Sequence, residues 1–367
     1  MDHAGRLSRL RVAIEESNLD WLLVTHLPNI RYLCGFTGST AALLVAAPVS
    51  ILFTDGRYRT QAKQEVVGAS VVIAGKSPLV AAGEWLGRQR LSRKRRNAKP
   101  PFVGIEPESI TAGTRDRLAA LLKGKMRLRP APRLVEGARM VKDATEVQCI
   151  RRAVELGAGL FRVACRKIRP GVTEVEVAAA MEYEARCAGA EGMSFPTILA
   201  AGSRSAIVHG RASGARIPRR GFVVCDFGVI LAGYCSDRTR TVHVGRPSVE
   251  ARRVYEAVLE AQLAAIATVR PGVTGAEVDS AARRVLRQQK LARYFTHSTG
   301  HGLGLEIHEA PRLAAGQNDP LKPGMMITIE PGIYVPGKWG VRIEDVVMVT
   351  SSGCEVLSPA DKELVII

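Results

Sequence analysis

The chain has 367 residues, of which 46% are hydrophobic, and this is enough for two or three domains with sizeable cores. It contains no run of eighteen apolar residues, and residues 1–20 lack the apolar segment and cleavage site of a signal peptide, so neither a membrane protein nor a secreted protein is expected. The formal net charge of +17 comes from 40 arginines and 12 lysines spread over both halves, and it does not by itself predict a nucleic-acid partner.

Cysteine usage and charge clustering refine these expectations. The seven cysteines are scattered and form no CxxC pair, which is typical of reduced cysteines in a cytoplasmic protein. The densest basic run, RQRLSRKRR at 88–96, is interpreted as a solvated helix end, so no nucleic-acid partner is expected there.

Helical and strand patterns alternate over residues 1–135. Helical spacing of apolar residues predicts helices at 4–17, 58–66 and 79–90. Short apolar runs predict buried strands at 21–25, 41–47, 50–54 and 102–106. The alternation predicts an α/β domain over 1–135, and the proline-broken stretch LRPAPRLVEG at 128–137 is predicted to connect it to a second domain over 136–367.

The second part of the chain contains an internal repeat. RPGVTEVEV begins at Arg169 and RPGVTGAEV begins at Arg270, and Thr173 and Thr274 are each predicted to cap a helix. A long amphipathic helix precedes each copy and a β-rich stretch follows it. The unit of two helices and several strands is therefore used twice, which predicts a pseudo-symmetric α+β domain.

Each β-rich stretch carries two acidic residues among strand-forming neighbours. Asp226 and Asp237 are separated by GVILAGYC, so a hairpin that bends at Gly233 would bring them together, and Glu330 and Glu344 occupy equivalent places in the second copy. Four converging carboxylates in apolar surroundings would repel one another unless cations neutralised them. A set of carboxylate ligands that includes an imidazole suits divalent manganese, cobalt, iron or zinc. Two such ions can lie about 3.5–4 Å apart and share ligands.

The stretch HSTGHGLGLEIHE, at 297–309, combines three histidines with little bulk. His301 in GHG is predicted to supply the imidazole ligand, and the glycines on either side would let the backbone pack tightly against the metal site. His308 and Glu309 are followed by APR, so the HExxH spacing of a thermolysin-like zinc helix is absent.

At this point the sequence resembles the pita-bread metallopeptidases, which include Xaa-Pro aminopeptidase, prolidase, methionine aminopeptidase and creatinase. The resemblance rests on the five predicted metal ligands within GHGLGLEIHEAP and IEPGIY…GVRIED, and it extends to NIRYLCGFTGSTAALLV and LFTDGRYRTQA in the first domain. The latter two stretches are similar to the N-terminal domain that methionine aminopeptidases lack. The resemblance implies a creatinase-like α/β domain followed by a pita-bread catalytic domain.

The resemblance also implies roles for individual residues. Asp237 and Glu344 match the ligands shared by two metal ions, Asp226 matches a ligand of one ion, and His301 and Glu330 match ligands of the other. Glu330 also matches the general base. His308 matches the histidine that stabilises the tetrahedral intermediate. His209 matches a histidine that approaches the scissile bond from the other repeat, and His297 matches a histidine on the substrate side. Arg342 matches an arginine that holds the carboxylates, and Arg312 an arginine that pairs with the substrate's C-terminal carboxylate in some prolidases.

The implied function is hydrolysis of the Xaa-Pro bond at the N-terminus of a peptide, with manganese as the favoured metal of two divalent ions. One alternative is prolidase, which cleaves dipeptides alone, and another is a creatinase-like hydrolase that acts on a small guanidino compound. The complete ligand set argues against the metal-free creatinase chemistry. The family also implies a homodimer with a proline-containing peptide as its substrate.

Overall fold

The structure, a computed structural model, describes residues 1–89, 100–358 and 362–367. Most of the basic run 88–96 therefore lies outside the described residues. Within them, none of the helices is both long and apolar enough to cross a membrane. The chain divides into two compact units, Met1–Arg139 and Met140–Ile367.

The first unit is built on a six-stranded sheet. Its strands follow the order β4-β3-β2-β1-β5-β6, in which β2 is antiparallel to β1 and β3 and the other pairs are parallel. The strands are β1 (Trp21–Val24), β2 (Ala41–Val45), β3 (Ser50–Asp55), β4 (Ser70–Ala74), β5 (Phe102–Ile105) and β6 (Arg127–Pro130). The helices are α1 (His3–Glu16), α2 (Leu27–Cys34), α3 (Arg59–Glu65), α4 (Pro78–Arg88), α5 (Ala112–Leu122) and α6 (Leu134–Met140), whose last residue falls in the second unit. Every helix and strand predicted over 1–106 is present.

The stretch 128–137, predicted to connect the two domains, lies within the first unit. It contains most of β6 and the start of α6, because β6 is an edge strand and an edge strand tolerates Pro130. Helix α6 is held to the first unit, since Arg139 Nη1 donates to Asn29 Oδ1 at 2.7 Å and Asn29 Nδ2 donates to Glu136 Oε1 at 2.6 Å. The division therefore falls after Arg139, four residues beyond the predicted boundary.

The second unit repeats one arrangement of helices and strands. The first copy contains α7 (Ala144–Lys167), α8 (Glu174–Cys187), β7 (Gly192–Met193), β8 (Ile198–Ala201), β9 (Gly221–Phe227), β10 (Val229–Leu231), β11 (Tyr234–Cys235) and β12 (Arg238–Val244). The second contains α9 (Val249–Thr268), α10 (Gly275–Gln288), β13 (Gly300–Gly302), β14 (Glu309–Leu313), β15 (Met326–Ile329), β16 (Gly332–Val335), β17 (Trp339–Arg342), β18 (Asp345–Val349) and β19 (Cys354–Val356).

The helices begin where the repeated motif predicted. Thr173 and Thr274 cap α8 and α10 in full capping boxes, with Glu176 and Glu277 bonding back to the capping backbone. Each helix pair packs on the strands of its own copy and forms its own apolar core, one built around β9 and β12 and the other around β15 and β18. The acidic residues of each copy are thus carried by strands that a separate core holds in place.

Candidate metal centre

The first acidic pair lies on the hairpin of the first repeat. Strands β10 and β11 are joined by a tight turn in which Ala232 and Gly233 both have positive φ, of 50° and 80°. Beyond it, β9 and β12 are antiparallel with Asp226 opposite Thr239. Asp237 immediately precedes β12, so the predicted hairpin brings the two aspartates into one pocket.

The second acidic pair lies on neighbouring strands of the second repeat. Glu330 directly follows β15, and Glu344 directly precedes β18. These strands are antiparallel with Ile329 opposite Asp345, so the next position in register places the two glutamates opposite each other. The same pocket therefore contains both acidic pairs, one from each repeat.

His301, on β13, points its Nε2 atom at these acids. Nε2 lies 3.4 Å from Glu330 Oε1 and 3.6 Å from Asp237 Oδ2. Nδ1 lies 3.0 Å from the carbonyl oxygen of Gly302, and since a carbonyl only accepts, Nδ1 carries the proton and Nε2 is left with a lone pair. Ligand atoms of Asp237, His301 and Glu344 all lie within 4.8 Å of one another, close enough to hold one ion.

The glycines beside His301 are required by neighbouring backbone rather than by a metal site. A Cβ atom at Gly300 would lie 1.9 Å from the carbonyl oxygen of Thr328, and one at Gly302 would lie 2.3 Å from that of Ala310. The reason given for these glycines from the sequence was therefore incomplete. Glycine is needed because three strands converge at His301 more closely than side chains allow.

The electrostatics of the pocket fit divalent cations. Burial and the neighbouring carboxylates hold the pKa values of Asp237 and Glu344 well above their usual range, and burial raises the pKa of Glu330 to about 8. Oδ1 of Asp226 is buried and has no hydrogen-bond partner among the described residues. Buried acids that repel one another, a polar atom without a partner and a neutral imidazole together form the donor set that manganese, cobalt, iron or zinc prefers.

Arg342 is hydrogen-bonded to Asp226 and helps to hold the acidic residues in place. Its Nη2 donates to Asp226 Oδ2 at 2.5 Å, and its Nε donates to Thr239 Oγ1 at 3.0 Å. Thr239 in turn donates to Glu344 Oε2 at 2.7 Å. Arg342 is almost fully buried, so its hydrogen bonds to Asp226 and Thr239 connect it to carboxylates from both repeats.

His297 has a different environment from the one expected of a substrate-side histidine. Nδ1 donates to the carbonyl oxygen of Ser298 at 2.8 Å, and Nε2 accepts from the hydroxyl of Tyr334 at 2.9 Å, so both ring nitrogens already have protein partners. The Tyr334 oxygen also accepts from Arg342 at 2.5 Å. Burial lowers the pKa of His297 to about 4, so the ring is neutral. This geometry supports a positioning role for His297.

His209, His308 and Arg312 line the open part of the same pocket. All three are exposed, and the His308 ring packs edge-on against His301 with centroids 4.5 Å apart. Arg211 lies with them and was missed by the sequence analysis, although its position two residues after His209 was a usable signal. Within the described part of the chain, the guanidinium groups of Arg211 and Arg312 make no hydrogen bond or salt bridge.

The sequence analysis also missed three residues that support the site. Thr239 was predictable, because it lies two residues after Asp237 and alternate residues of a strand share a face. Tyr334 gave no such signal, since its hydroxyl reaches Arg342 across the β16–β17 pair. Lys142 forms a buried 3.0 Å ion pair with Glu309 from 167 positions away, a separation that no local pattern reveals.

The raised carboxylate pKa values predict how the metal-free protein responds to pH. Between pH 6.5 and 8 the folded protein holds protons on Glu330 and its neighbours that the unfolded chain has already released, so the free energy of unfolding should fall as the pH rises. The buried histidines with lowered pKa values act in the opposite sense near pH 6.5, because the unfolded chain still binds their protons there, so the fall should be steepest above about pH 7. Thermal unfolding of chelated protein at the two pH values measures the effect, and greater stability at pH 8 would contradict it.

Tyr334→Phe should lower both activity and stability, because it removes hydrogen bonds that hold Arg342 and His297. The change removes one acceptor from Arg342 and the donor to His297 Nε2, and such outer partners of a metal site typically cost about 10–100-fold in activity or metal affinity. Unfolding stability should fall by about 1–3 kcal/mol, because a buried nitrogen loses its partner. Steady-state kinetics and urea unfolding measure the two effects. Tyr294→Phe, at a half-exposed ring outside the pocket, is the control and should change neither.

Comparisons with known proteins agree with this geometry. Residues 6–141 match the creatinase/prolidase N-terminal domain, and residues 148–351 match metallopeptidase family M24. The Bacillus subtilis protein named uncharacterized peptidase YqhT is 36% identical over 99% of this chain and 100% of its own length. The Xaa-Pro dipeptidase of Pyrococcus furiosus is 45% identical over 63% of this chain and 66% of its own length.

Solved structures extend the similarity over the whole chain. The Xaa-Pro dipeptidase from Bacillus anthracis has a TM-score of 0.92 and 37% identity, with 100% of both chains covered. The X-Pro aminopeptidase from Thermotoga maritima has a TM-score of 0.87 and 35% identity, covering 98% of this chain and 99% of its own. The predicted fold, a creatinase-like domain followed by a pita-bread catalytic domain, is confirmed, and the chain belongs to metallopeptidase family M24.

Proposed function

We propose that this chain is a metal-dependent Xaa-Pro aminopeptidase, which releases an N-terminal residue by hydrolysing its bond to proline. The observation that carries the proposal is the convergence of three buried carboxylates, the partly buried Glu330 and the neutral His301 at one pocket. The relatives that are named Xaa-Pro dipeptidase and X-Pro aminopeptidase support the choice of bond.

Five residues are proposed to hold two divalent ions. Asp237 and Glu344 would hold both ions, Asp226 would add a ligand for one of them, and His301 and Glu330 would add ligands for the other. The oxygen-rich set favours manganese among the candidate metals. Bound ions supply Lewis-acid polarisation of the substrate carbonyl and a water acidic enough to attack near neutral pH.

The remaining pocket residues are assigned to proton transfer and charge stabilisation. Glu330 accepts a proton from the attacking water, a role open to a carboxylate that lies in the pocket beside His301. His308 and His209 stand in the open part of the pocket, where they donate to the oxygen that becomes negatively charged. His297 and Arg342 hold the surrounding groups in place through Tyr334.

A second candidate function is prolidase activity, limited to Xaa-Pro dipeptides. It is favoured by Arg312, whose guanidinium lines the pocket without a protein partner in the described part of the chain. A free arginine can bind the C-terminal carboxylate of a dipeptide bidentately. The dipeptidase names of several relatives support the same reading.

The oligomeric state and the cellular location are proposed from the resemblance to the family. We expect a homodimer and a cytoplasmic location. Sedimentation equilibrium of the purified protein would measure the assembly, and a monomer at all concentrations would contradict the first expectation.

One assay series tests the proposed function. Exhaustive chelation should abolish hydrolysis of Xaa-Pro dipeptides and Xaa-Pro-Yaa tripeptides, and addition of manganese or cobalt should restore it. Comparable rates on both substrates indicate the aminopeptidase, and cleavage of dipeptides alone indicates prolidase. Matched Xaa-Ala peptides are the control and should not be cleaved. Full turnover in demetallated protein would overturn the mechanism, and hydrolysis of creatine without cleavage of peptides would indicate a creatinase-like hydrolase.

A further inference from the structure

Arg211 and Arg312 enter the pocket of the candidate metal centre from different repeats. Arg211 forms a β-bridge with Ile198, which in turn lies opposite Asp226, a proposed ligand of one ion. Arg312 lies opposite His301, a proposed ligand of the other ion. Since residues opposite each other in register share a face of the sheet, each arginine is placed beside a different one of the two proposed ion sites.

The charge of the metal-loaded pocket leaves these two arginines without a counter-charge. Two divalent ions would offset the four carboxylates that are proposed to hold them. Glu309, the remaining acid among the described residues that line the pocket, forms an ion pair with Lys142 at 3.0 Å. Within the described part of the chain, neither the Arg211 nor the Arg312 guanidinium makes a hydrogen bond or salt bridge. The pocket therefore favours a substrate with more than one negative charge.

An Xaa-Pro dipeptide can supply these charges in one way only. Its C-terminal carboxylate is the group for which Arg312 is the candidate partner. Proline has no charged side chain, so the one remaining group of the dipeptide that can be negatively charged is the side chain of the N-terminal residue. Only aspartate or glutamate at that position would provide a second carboxylate for Arg211.

The surroundings of Arg211 leave room for such a side chain. Besides the pocket, Arg211 lines an adjoining open groove of about 700 Å³, and Phe195 and Pro196 line both. These two apolar residues suit the methylene groups of the substrate side chain, while a guanidinium binds a carboxylate through two parallel hydrogen bonds. Glu182 also lines the groove, but its Oε1 accepts from Thr197 Oγ1 at 2.6 Å, and no ion pair among the described residues joins it to Arg211.

We propose that Arg211 is a specificity-determining residue that binds the side-chain carboxylate of an N-terminal glutamate or aspartate, so that Glu-Pro and Asp-Pro peptides are the preferred substrates. This inference rests on the proposed peptidase function and names the substrate class of the same pocket. The acidic side chain takes no part in bond breaking, so the preference should appear mainly in KM and less in kcat.

Steady-state kinetics of the metal-loaded full chain on Glu-Pro, Gln-Pro and Lys-Pro tests the proposal. Glutamate and glutamine have nearly the same shape, so the ratio of their kcat/KM values isolates the charge. The wild type should prefer Glu-Pro to Gln-Pro by about 10-fold and cleave Lys-Pro least well. This ratio corresponds to about 1.4 kcal/mol, slightly below the usual contribution of a bond to a charged group, because Arg211 is exposed. Arg211→Gln should bring the ratio below about 2-fold, and Arg211→Glu should reverse the order in favour of Lys-Pro.

Arg312→Gln is the matched control, because it removes the same charge from the other repeat's side of the pocket. It should keep the wild-type ratio of Glu-Pro to Gln-Pro, whatever its effect on the two rates. Both arginines are exposed, so the variants should unfold at the wild-type temperature. A ratio that falls equally in the Arg211 and Arg312 variants would show an effect of overall charge, and a ratio that falls only in Arg312→Gln would assign the side chain to Arg312. Either result would overturn the proposal.

Two further outcomes separate this inference from the peptidase function on which it rests. A wild-type ratio below about 2-fold, with both dipeptides cleaved, would overturn the inference and leave the peptidase function intact. Cleavage of none of the three dipeptides would overturn both. The tripeptides Ala-Pro-Glu and Ala-Pro-Gln should be cleaved at rates that Arg211→Gln changes equally. A preference for Ala-Pro-Glu that disappears in this variant would place the acidic side chain at the third residue and contradict the proposal.

Discussion

An Asp237→Asn variant should lose at least about 100-fold in kcat/KM, while its metal-free form should unfold at a higher temperature than the wild type. A neutral amide is a poor shared ligand for two cations, and even groups that only support a metal ligand typically cost 10–100-fold when they are removed. The amide is nearly isosteric with the acid, so the fold should persist. The two effects have opposite signs because the same carboxylate binds the ions and repels its neighbours.

The expected gain in metal-free stability follows from the surroundings of Asp237. Burial is the largest cause that raises its pKa, and repulsion from Glu344, Asp226 and Glu330 adds to it. The buried acid must take up a proton that the unfolded chain does not hold at these pH values, and the amide need not, so the variant should also lose stability less steeply than the wild type between pH 6.5 and 8. Manganese should raise the unfolding temperature of the wild type much more than that of the variant.

Asp279→Asn is the matched control for this prediction. Asp279 is equally buried, but it accepts hydrogen bonds from Arg283 and Thr299, both at 2.8 Å. Its neutralisation should lower the unfolding temperature with or without metal. If Asp237→Asn keeps wild-type turnover with two ions bound, or if its metal-free form is less stable than the wild type, the ligand assignment is wrong.

The acidic pairs were predictable from the sequence because their geometry is local. Two residues flanking a hairpin, or ending one strand and beginning its neighbour, must meet once the strands pair, and Asp226 with Asp237 needed only the turn at Gly233. The repeated RPGVT motif likewise located two helix starts, because capping depends on residues three positions apart. Both features can be read from the order of residues along the chain.

The repeat by itself does not predict the asymmetry of the centre. In the first copy, Ile198 lies opposite both Asp226 and Arg211 in the sheet. In the second copy, Glu330 N donates to the carbonyl oxygen of Thr299, and His301 lies two residues further along the chain, opposite Arg312. The five proposed ligands include an imidazole from the second copy and none from the first, so the two copies contribute differently to the site.

The supporting groups were least predictable because they act over long distances in the sequence. Arg342 reaches Asp226 across 116 positions, and Lys142 reaches Glu309 across 167. The division of the chain after Arg139, beyond the predicted boundary at 135, depends on similar contacts, since those between α6 and Asn29 join positions more than a hundred residues apart. Only the folded chain shows which of many arginines, lysines and tyrosines meet a buried acid.

Arg312→Ala should reveal how long a peptide this enzyme accepts. Arg312 lies opposite His301 in the β13–β14 register, and its guanidinium lines the pocket. In an Xaa-Pro dipeptide the C-terminal carboxylate belongs to the proline next to the scissile bond, whereas in a tripeptide it lies one residue further out. If Arg312 binds that carboxylate, the variant should lose about 2–4 kcal/mol of transition-state stabilisation for dipeptides and much less for tripeptides.

The matched control is Arg211→Ala, because Arg211 places the same charge in the same pocket from the first repeat. Values of kcat/KM for one Xaa-Pro dipeptide and its Xaa-Pro-Yaa extension, compared among wild type and both variants, isolate the contribution of Arg312. Equal losses in the two variants would show that the overall charge of the pocket attracts substrate, without specific pairing. No loss for either substrate in Arg312→Ala would make Arg312 a surface residue and leave the broader aminopeptidase as the better description, since the ligand set and the histidines do not depend on peptide length.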